Sequence, residues 1–176
     1  MKNKLELRTW SKSLRKTLNI SDISDKICRN IRAAELYQKS KHVMIFYPLP
    51  DEIDLLNLLS DDKQFYLPRV SGEELEVCPY KSGDPLKLSE FNIQEPLTEG
   101  VSKSVPDIIF TPALCSDNDF YRIGYGGGFY DRLLSQTSAK SIIVIPQEFV
   151  LDDICHEPHD IRCDGIITQK KASFRG

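Results

Sequence analysis

The sequence predicts one α/β domain spanning residues 1–176. Three observations lead there. The chain has 176 residues, 40% of them hydrophobic, which suits one compact domain with a core and argues against a largely disordered chain. Two short apolar runs, Val43–Tyr47 and Ser141–Ile145, stop at prolines (Pro48 and Pro146) and read as buried strands. Apolar residues at helical spacing occupy segments around those strands.

Residues 2–17 form the first helical pattern, with Leu7, Trp10, Leu14 and Leu18 on one face and Lys4, Arg8, Lys12 and Arg15 on a second stripe. Spacing alone is compatible with a solvated basic face or with Lys4 and Arg8 aimed at an anion. Ser21 or Asp22 is a cap for the next helix, which carries Ile23, Ile27, Ile31 and Ala34 as a packing face. After the Val43–Tyr47 strand, Asp51 opens a helical pattern through Ile53, Leu55, Leu56 and Leu59. Glu52 is then either an ordinary first-turn acid facing the helix dipole or a ligand group on the loop after a strand. Gln64–Val70 reads as a strand ending in Pro68-Arg69, where the arginine is an anion contact or a surface residue. Leu75–Tyr80 reads as a strand near a sheet edge, because Pro79 lacks a donor. Residues 81–106 are turn-rich and carry no assigned chemistry. Phe149, Val150, Leu151 and Ile154 fit a short helix.

The most distinctive stretch is Arg122-Ile123-Gly124-Tyr125-Gly126-Gly127-Gly128-Phe129-Tyr130-Asp131-Arg132, which holds four of the nine glycines. A predicted strand, Asp107–Phe110, lies upstream, and a helical pattern from Tyr130 to Leu134 follows. Phosphate binding by main-chain N–H groups requires close approach to the backbone, which glycine permits by lacking a Cβ and accepting positive φ. Arg122 and Arg132 flank the loop as cations. Asp131 beside an anion site would repel phosphate, so a bridging Mg²⁺ fits there. The alternative is a tight strand-to-helix turn: Phe129 occupies the slot of the last glycine in G-x-G-x-x-G, and no Walker lysine is present.

Composition excludes several classes. The net charge is −3 and the pI about 5.7, which do not suit a general nucleic-acid binder. Five cysteines, Cys28, Cys78, Cys115, Cys155 and Cys163, are an odd number at scattered spacings, without a C-x-x-C pair, and argue against a disulfide framework. Cys155, His156, His159 and Cys163 cluster late in the chain, as a metal set or as strand and loop. The charged start has no apolar signal segment, and no stretch is long enough to span a bilayer, so a reduced cytoplasmic setting is the simplest reading.

The glycine string resembles the signature loop of the 5-formyltetrahydrofolate cyclo-ligase family, also called 5,10-methenyltetrahydrofolate synthetases, whose common form ends Gly-Tyr-Gly-Gly-Gly-Tyr-Tyr-Asp-Arg; here Phe129 stands for the first tyrosine of the final pair. Lys4-Leu5-Glu6-Leu7-Arg8, Tyr47-Pro48-Leu49-Pro50-Asp51-Glu52 and Glu157-Pro158-His159-Asp160 resemble further family segments, in the right order. The resemblance implies a largely parallel central sheet with helices on both faces and a site at the strand ends.

It also implies site roles. ATP is bound by Lys4, Leu5, Glu6, Leu7 and Arg8, and by the loop from Arg122 through Ile123, Gly124, Tyr125, Gly126, Gly127, Gly128 and Phe129 to Tyr130. The folate is bound by Arg8, Tyr47, Glu52, Tyr125, Gly126, Gly127, Gly128 and Phe129. Arg122 and Asp131 serve catalysis, and Asp131 with Asp160 holds Mg²⁺. The implied partners are 5-formyltetrahydrofolate and ATP, with no nucleic acid and no membrane, in a monomer or small homo-oligomer. Two rivals remain: a folate- or nucleotide-binding regulator without turnover, and a different ATP-dependent enzyme using the same loop.

Overall fold

The structure is a computed structural model and describes residues 2–176. The chain opens with helices α1 (Lys4–Arg15), α2 (Ile20–Ala33) and α3 (Glu35–Lys39), then strands β1 (His42–Met44), β2 (Gln64–Ser71) and β3 (Glu74–Tyr80). A small hairpin, β4 (Leu86–Leu88) and β5 (Gln94–Pro96), precedes β6 (Ile108–Pro112), β7 (Cys115–Asp117) and β8 (Arg122–Ile123). Helix α4 (Phe129–Leu134), β9 (Lys140–Val144), β10 (Val150–Leu151), β11 (Gly165–Ile167) and β12 (Ala172–Phe174) complete it.

Seven strands form the central sheet in the order β12-β11-β9-β6-β1-β2-β3. The five inner strands, from β11 to β2, pair in parallel, and β3 and β12 close the edges antiparallel. Period-2 alternation of apolar residues explains why both faces must be covered. Val43, Ile45, Phe65, Ile108, Phe110, Ile142 and Val144 turn to one face, where Ile23, Ile27 and Ile31 of α2 and Tyr37 of α3 cover them. Met44, Tyr66, Ile109, Ile143 and Ile145 turn to the other, under Leu133 and Leu134 of α4, with Trp10 and Leu14 of α1 packed against them. The result is the predicted single α/β domain with a largely parallel sheet and helices on both faces.

The chain winds from β1 outward to β2, then returns to place β6 on the other side of β1. Strand order therefore reverses between β1 and β6, and the loops leaving those two strands diverge to leave a crevice. The β1 exit is the Tyr47–Glu52 segment; the β6 exit is Pro112–Leu114.

Local structure departs from the sequence reading in four places. Helix α1 starts at Lys4 because Asn3 caps it: Glu6 N–H donates to Asn3 Oδ1 at 2.8 Å, and Asn3 N–H donates to Glu6 Oε2 at 3.2 Å. Asn19, not Ser21 or Asp22, caps α2 by accepting from Asp22 N–H at 3.1 Å. Asp51 opens no α-helix; it sits at φ 65°, and only a 3₁₀ turn at Leu56–Ser60 follows. Of the expected helix face, Ile53 and Leu55 are buried from a non-helical loop in the core that α2 covers, and Leu56 and Leu59, in the 3₁₀ turn, are partly buried against the same core. Finally, Val150 and Leu151 form β10, parallel to β7, where a short helix was expected. Among the described residues, no helix is long and apolar enough to cross a membrane.

Candidate active site

A cleft of about 940 Å³ opens at the crevice between the β1 and β6 exits. That is the upper end of ordinary ligand-site volumes, roughly 300–1,000 Å³. Lys4, Arg8, Tyr47, Glu52, the whole run Arg122–Arg132 and Asp160 line it, so segments far apart in sequence meet there.

The glycine loop does not leave the central sheet directly, as the upstream strand suggested. It leaves β8, the second strand of a hairpin with β7. Asp117 shapes that hairpin by accepting N–H bonds from Asp119 at 3.0 Å and Tyr121 at 3.1 Å. Two arginines pin the loop. Arg8 Nε donates to the Gly124 carbonyl at 2.9 Å, and Arg132 Nη2 to the Gly127 carbonyl at 2.9 Å. Arg132 Nε also donates to the Glu73 carbonyl at 2.7 Å, so Arg132 is a loop brace. Gly128 begins α4 in the left-handed region, at φ 69°, and a Cβ there would lie 2.8 Å from Arg132 Nη1.

Arg122 stands beneath the loop, 7% exposed. Its guanidinium lies over the Tyr130 ring at 5.3 Å, and Nη2 is 3.6 Å from Asp131 Oδ1. Its Nε is buried without a hydrogen-bond partner. An orphaned buried donor beside a cleft is uncommon and calls for a functional account. Burial pushes the Tyr130 hydroxyl pKa upward, so that group stays protonated.

The opposite wall carries Glu52. It is buried, and its Oε1 accepts from Leu49 N–H at 2.8 Å. Burial raises its pKa; the Leu49 N–H, the Tyr125 hydroxyl and the Arg15 charge pull the other way. Tyr125 is 43% exposed at its flank, yet its hydroxyl reaches inward to Glu52, and burial together with that carboxylate raises its pKa. Glu52 is therefore not a helix-dipole partner. It is an acceptor held inside the cleft.

The two expected metal carboxylates both line the cleft, but each faces a protein cation. Asp131 faces Arg122 and accepts from Ile161 N–H at 3.4 Å, next to Asp160 in the chain. Asp160 Oδ2 accepts from Lys4 Nζ at 2.7 Å, and Lys4 also reaches Glu157 at 3.1 Å. Burial raises the Asp160 pKa, but the Lys4 hydrogen bond, the Glu157 N–H and nearby positive charge outweigh it, and the net direction is downward. Two carboxylates lining a cleft that also carries Lys4, Arg8 and Arg122 fit Mg²⁺, which takes one or two carboxylates plus substrate oxygens.

Other expected residues lie elsewhere. Leu5 is exposed, Glu6 caps α1, and Leu7 packs against Cys115, Ile123 and Ile154; none lines the cleft. Arg69 contacts no ligand space: it pairs with Glu76 and donates to the carbonyls of Pro96 and Thr98. The late cysteine–histidine set does not assemble. His156 stacks on Tyr121 at 3.7 Å, Cys163 is buried in the core, and among the described residues neither possible metal-ligand group contains a cysteine.

Sequence reasoning missed part of the cleft. Phe91 and Ile93, from the connection between β4 and β5, line it, and the Phe91 ring meets Phe129 edge-on at 6.0 Å. The Phe91–Pro96 segment resembles the family too, but it lies in a turn-rich stretch without periodicity and carries no assigned chemistry.

Fold and cleft together define a doubly wound α/β protein with a two-sided site at its strand-order switch: one side cationic and glycine-lined, the other aromatic with a buried acid. Comparison with known proteins makes this specific. The chain belongs to the 5-formyltetrahydrofolate cyclo-ligase family, whose model matches residues 2–169. It is 35% identical over 102 residues to the 5-formyltetrahydrofolate cyclo-ligase of Mycolicibacterium smegmatis, covering 55% of this chain and 52% of that one. It is 31% identical over 119 residues to the enzyme of the same name from Haemophilus influenzae, covering 61% and 63%. The chain thus spans between half and two thirds of these two relatives in the matched stretches. The NMR structure of Aquifex aeolicus 5,10-methenyltetrahydrofolate synthetase superposes with a TM-score of 0.86 at 30% identity, covering 97% of this chain and 92% of that one. The family is ATP-dependent.

Proposed function

We propose that this protein converts 5-formyltetrahydrofolate and ATP into 5,10-methenyltetrahydrofolate, ADP and phosphate, in a reduced cytoplasmic setting and as a monomer or small homo-oligomer. One observation carries the reading: a single cleft joins the glycine loop and Arg122 on one wall to Tyr47 and Glu52 on the other. Two ligands of opposite character meet between them.

The chemistry accounts for that inventory. A formamide carbon is a poor electrophile and its oxygen a poor leaving group. Transfer of the γ-phosphoryl group to the formyl oxygen releases ADP and corrects both defects. The folate N10 then attacks the activated carbon and the ring closes; the C–O bond breaks to expel phosphate, and the N10 proton leaves to the departing phosphate or water. Nucleophile and electrophile belong to one molecule, so the protein's task is to hold a closing geometry, and no protein nucleophile is needed.

In this reading Arg8, Arg122 and the loop N–H groups receive phosphate oxygens; the unpartnered Arg122 Nε supports that role. Lys4 joins them by leaving Asp160. Glu52 accepts from the N–H and amino donors of the pterin edge. Tyr47, Tyr125 and Phe129 form the folate wall. Asp131 and Asp160 would hold Mg²⁺, which when bound neutralises and aligns the phosphates.

The test mixes purified protein, Mg-ATP and 5-formyltetrahydrofolate and follows the near-ultraviolet band of the methenyl product. A band that needs all three components, with matching phosphate release, supports the reading. Ligand-induced thermal stabilisation without band or phosphate would instead identify a binding protein.

A further inference from the structure

Arg15 was expected on a solvated basic stripe, yet it is 3% exposed. Its guanidinium lies 4.7 Å from the centre of the Phe149 ring. Nε donates to Ser11 Oγ at 3.1 Å, and Nη2 to the carbonyls of Ala113 at 2.5 Å and Leu114 at 3.3 Å. Nη1 reaches the Asp51 carbonyl at 3.4 Å. One side chain therefore links the end of α1 to both loops that part at the strand-order switch.

No ion-pair partner of Arg15 occurs among the described residues. A buried cation so placed is costly unless its donors are satisfied and negative charge lies near. Carbonyls meet the first need. Burial presses the Arg15 pKa downward, and the negative forms of Tyr125, Glu52, Cys115 and Asp51 oppose it. Asp51 adds a second observation. It is a non-glycine residue at φ 65°, a conformation that the surrounding structure must enforce. Its carbonyl is the one Arg15 approaches, and the next side chain is Glu52, turned into the cleft.

We propose that Arg15 is the positioning residue for folate recognition: its fork fastens the Asp51–Glu52 turn to the β6 exit and so aims the Glu52 carboxylate at the ligand. The proposal rests on the reading of Glu52 as the pterin acceptor. Arg15 also supplies positive charge to that carboxylate, which is otherwise faced by the Leu49 N–H, Tyr125 from the glycine loop and Tyr130 from α4, with Asp51 beside it.

The experiment measures equilibrium binding of 5-formyltetrahydrofolate and, separately, of Mg-ATP to the wild type, Arg15→Met, Arg15→Lys and Glu52→Gln, each checked for cooperative unfolding. For Arg15→Met the folate Kd should rise roughly tenfold while the Mg-ATP Kd stays within about twofold, as for loss of one buried charged hydrogen-bonding partner. The acid limb of folate binding should move to higher pH in Arg15→Met and stay in place in Arg15→Lys, which keeps the charge. A purely structural role would weaken both ligands equally and leave the pH limb unmoved; that result, or unchanged folate binding, overturns the proposal. If Arg15→Met does not fold, Arg15→Lys decides: selective weakening of folate supports the proposal, and equal or no weakening overturns it. Should Glu52→Gln bind folate as the wild type does, or the wild type not bind it, the reading of Glu52 fails and the proposal with it. Weakening in Glu52→Gln but in neither Arg15 variant removes the Arg15 proposal alone.

Discussion

Glu52 concentrates the conflict between stability and function in one side chain. Burial raises its pKa above that of the unfolded chain, despite help from the Leu49 N–H, Tyr125 and Arg15. The folded state therefore binds its proton more tightly than the unfolded state does. Stability from this group is fully present below the unfolded pKa and is lost as pH rises through the folded one. Once ionised, the carboxylate is a liability to the fold, which the proposed pterin contact would account for. Glu52→Gln should accordingly unfold at a higher temperature than the wild type at neutral pH, and the two should converge below about pH 4, where both are neutral. The same variant should bind 5-formyltetrahydrofolate roughly ten- to a hundredfold more weakly, since a lost charged acceptor costs about 1.5–3 kcal/mol. Melting curves at both pH values, with folate titrations, check both halves; a variant less stable at pH 7 would mean that the carboxylate is a structural anchor rather than a strained ligand.

The glycine loop is the element on which the proposed recognition depends, and its shape rests on more than its own residues. Arg8 and Arg132 grip the carbonyls of Gly124 and Gly127, and Gly128 turns the chain into α4 with positive φ. Gly128→Ala meets two obstacles: a left-handed backbone, costing about 1–2 kcal/mol, and a contact at 2.8 Å with Arg132. Arg132 cannot swing away without releasing Gly127 and Glu73. The variant should lose about 1–2 kcal/mol of stability in denaturant titrations, and its KM for ATP should rise more than its KM for folate. Equal KM values with wild-type stability would show the loop to be freely adjustable. Elements of this kind were legible in the sequence because glycines, caps and apolar periods act locally. The strands read at Val43–Tyr47 and Ser141–Ile145 appear, as the shorter His42–Met44 and as Lys140–Val144, and the opening helix, trimmed to Lys4–Arg15, and the loop-to-helix order follow the reading. What local patterns could not carry was tertiary context. Arg15 looked solvated because helical spacing does not reveal a neighbouring loop of carbonyls. Ile53, Leu55 and Leu59 looked helical because a buried loop also needs apolar residues. Phe91 reaches the cleft only through the fold of a hairpin in the least patterned part of the chain.

At the scale of the whole molecule, the site is a meeting of chain ends with the sheet. Lys4 opens α1, Glu52 follows β1, Arg122 begins β8, and Asp160 lies in the closing segment; the Lys4–Asp160 pair ties the first helix to that segment. The cationic and anionic groups of the cleft pair with one another, Lys4 with Asp160 and Arg122 with Asp131. In the proposed reading, Mg-ATP would offer each group a new partner: phosphates for the cations and the metal for the carboxylates. Either component alone serves only one side and leaves the other without its counter-ion. Metal and nucleotide should therefore stabilise the fold together and much less separately. With Mg-ATP at a hundred times its Kd, linkage contributes about 2.7 kcal/mol, which for a chain of this size raises the melting temperature by about 5–10 °C. ATP with EDTA, and Mg²⁺ without ATP, should each give only a small fraction of that shift. Asp131→Asn should shrink the Mg-ATP shift toward the value with EDTA, because it removes a carboxylate from the metal side while sparing the loop. A full shift from ATP in EDTA, unchanged in Asp131→Asn, would mean that Arg8, Arg122 and the loop N–H groups hold the nucleotide unaided, and that Asp131 serves only to partner Arg122.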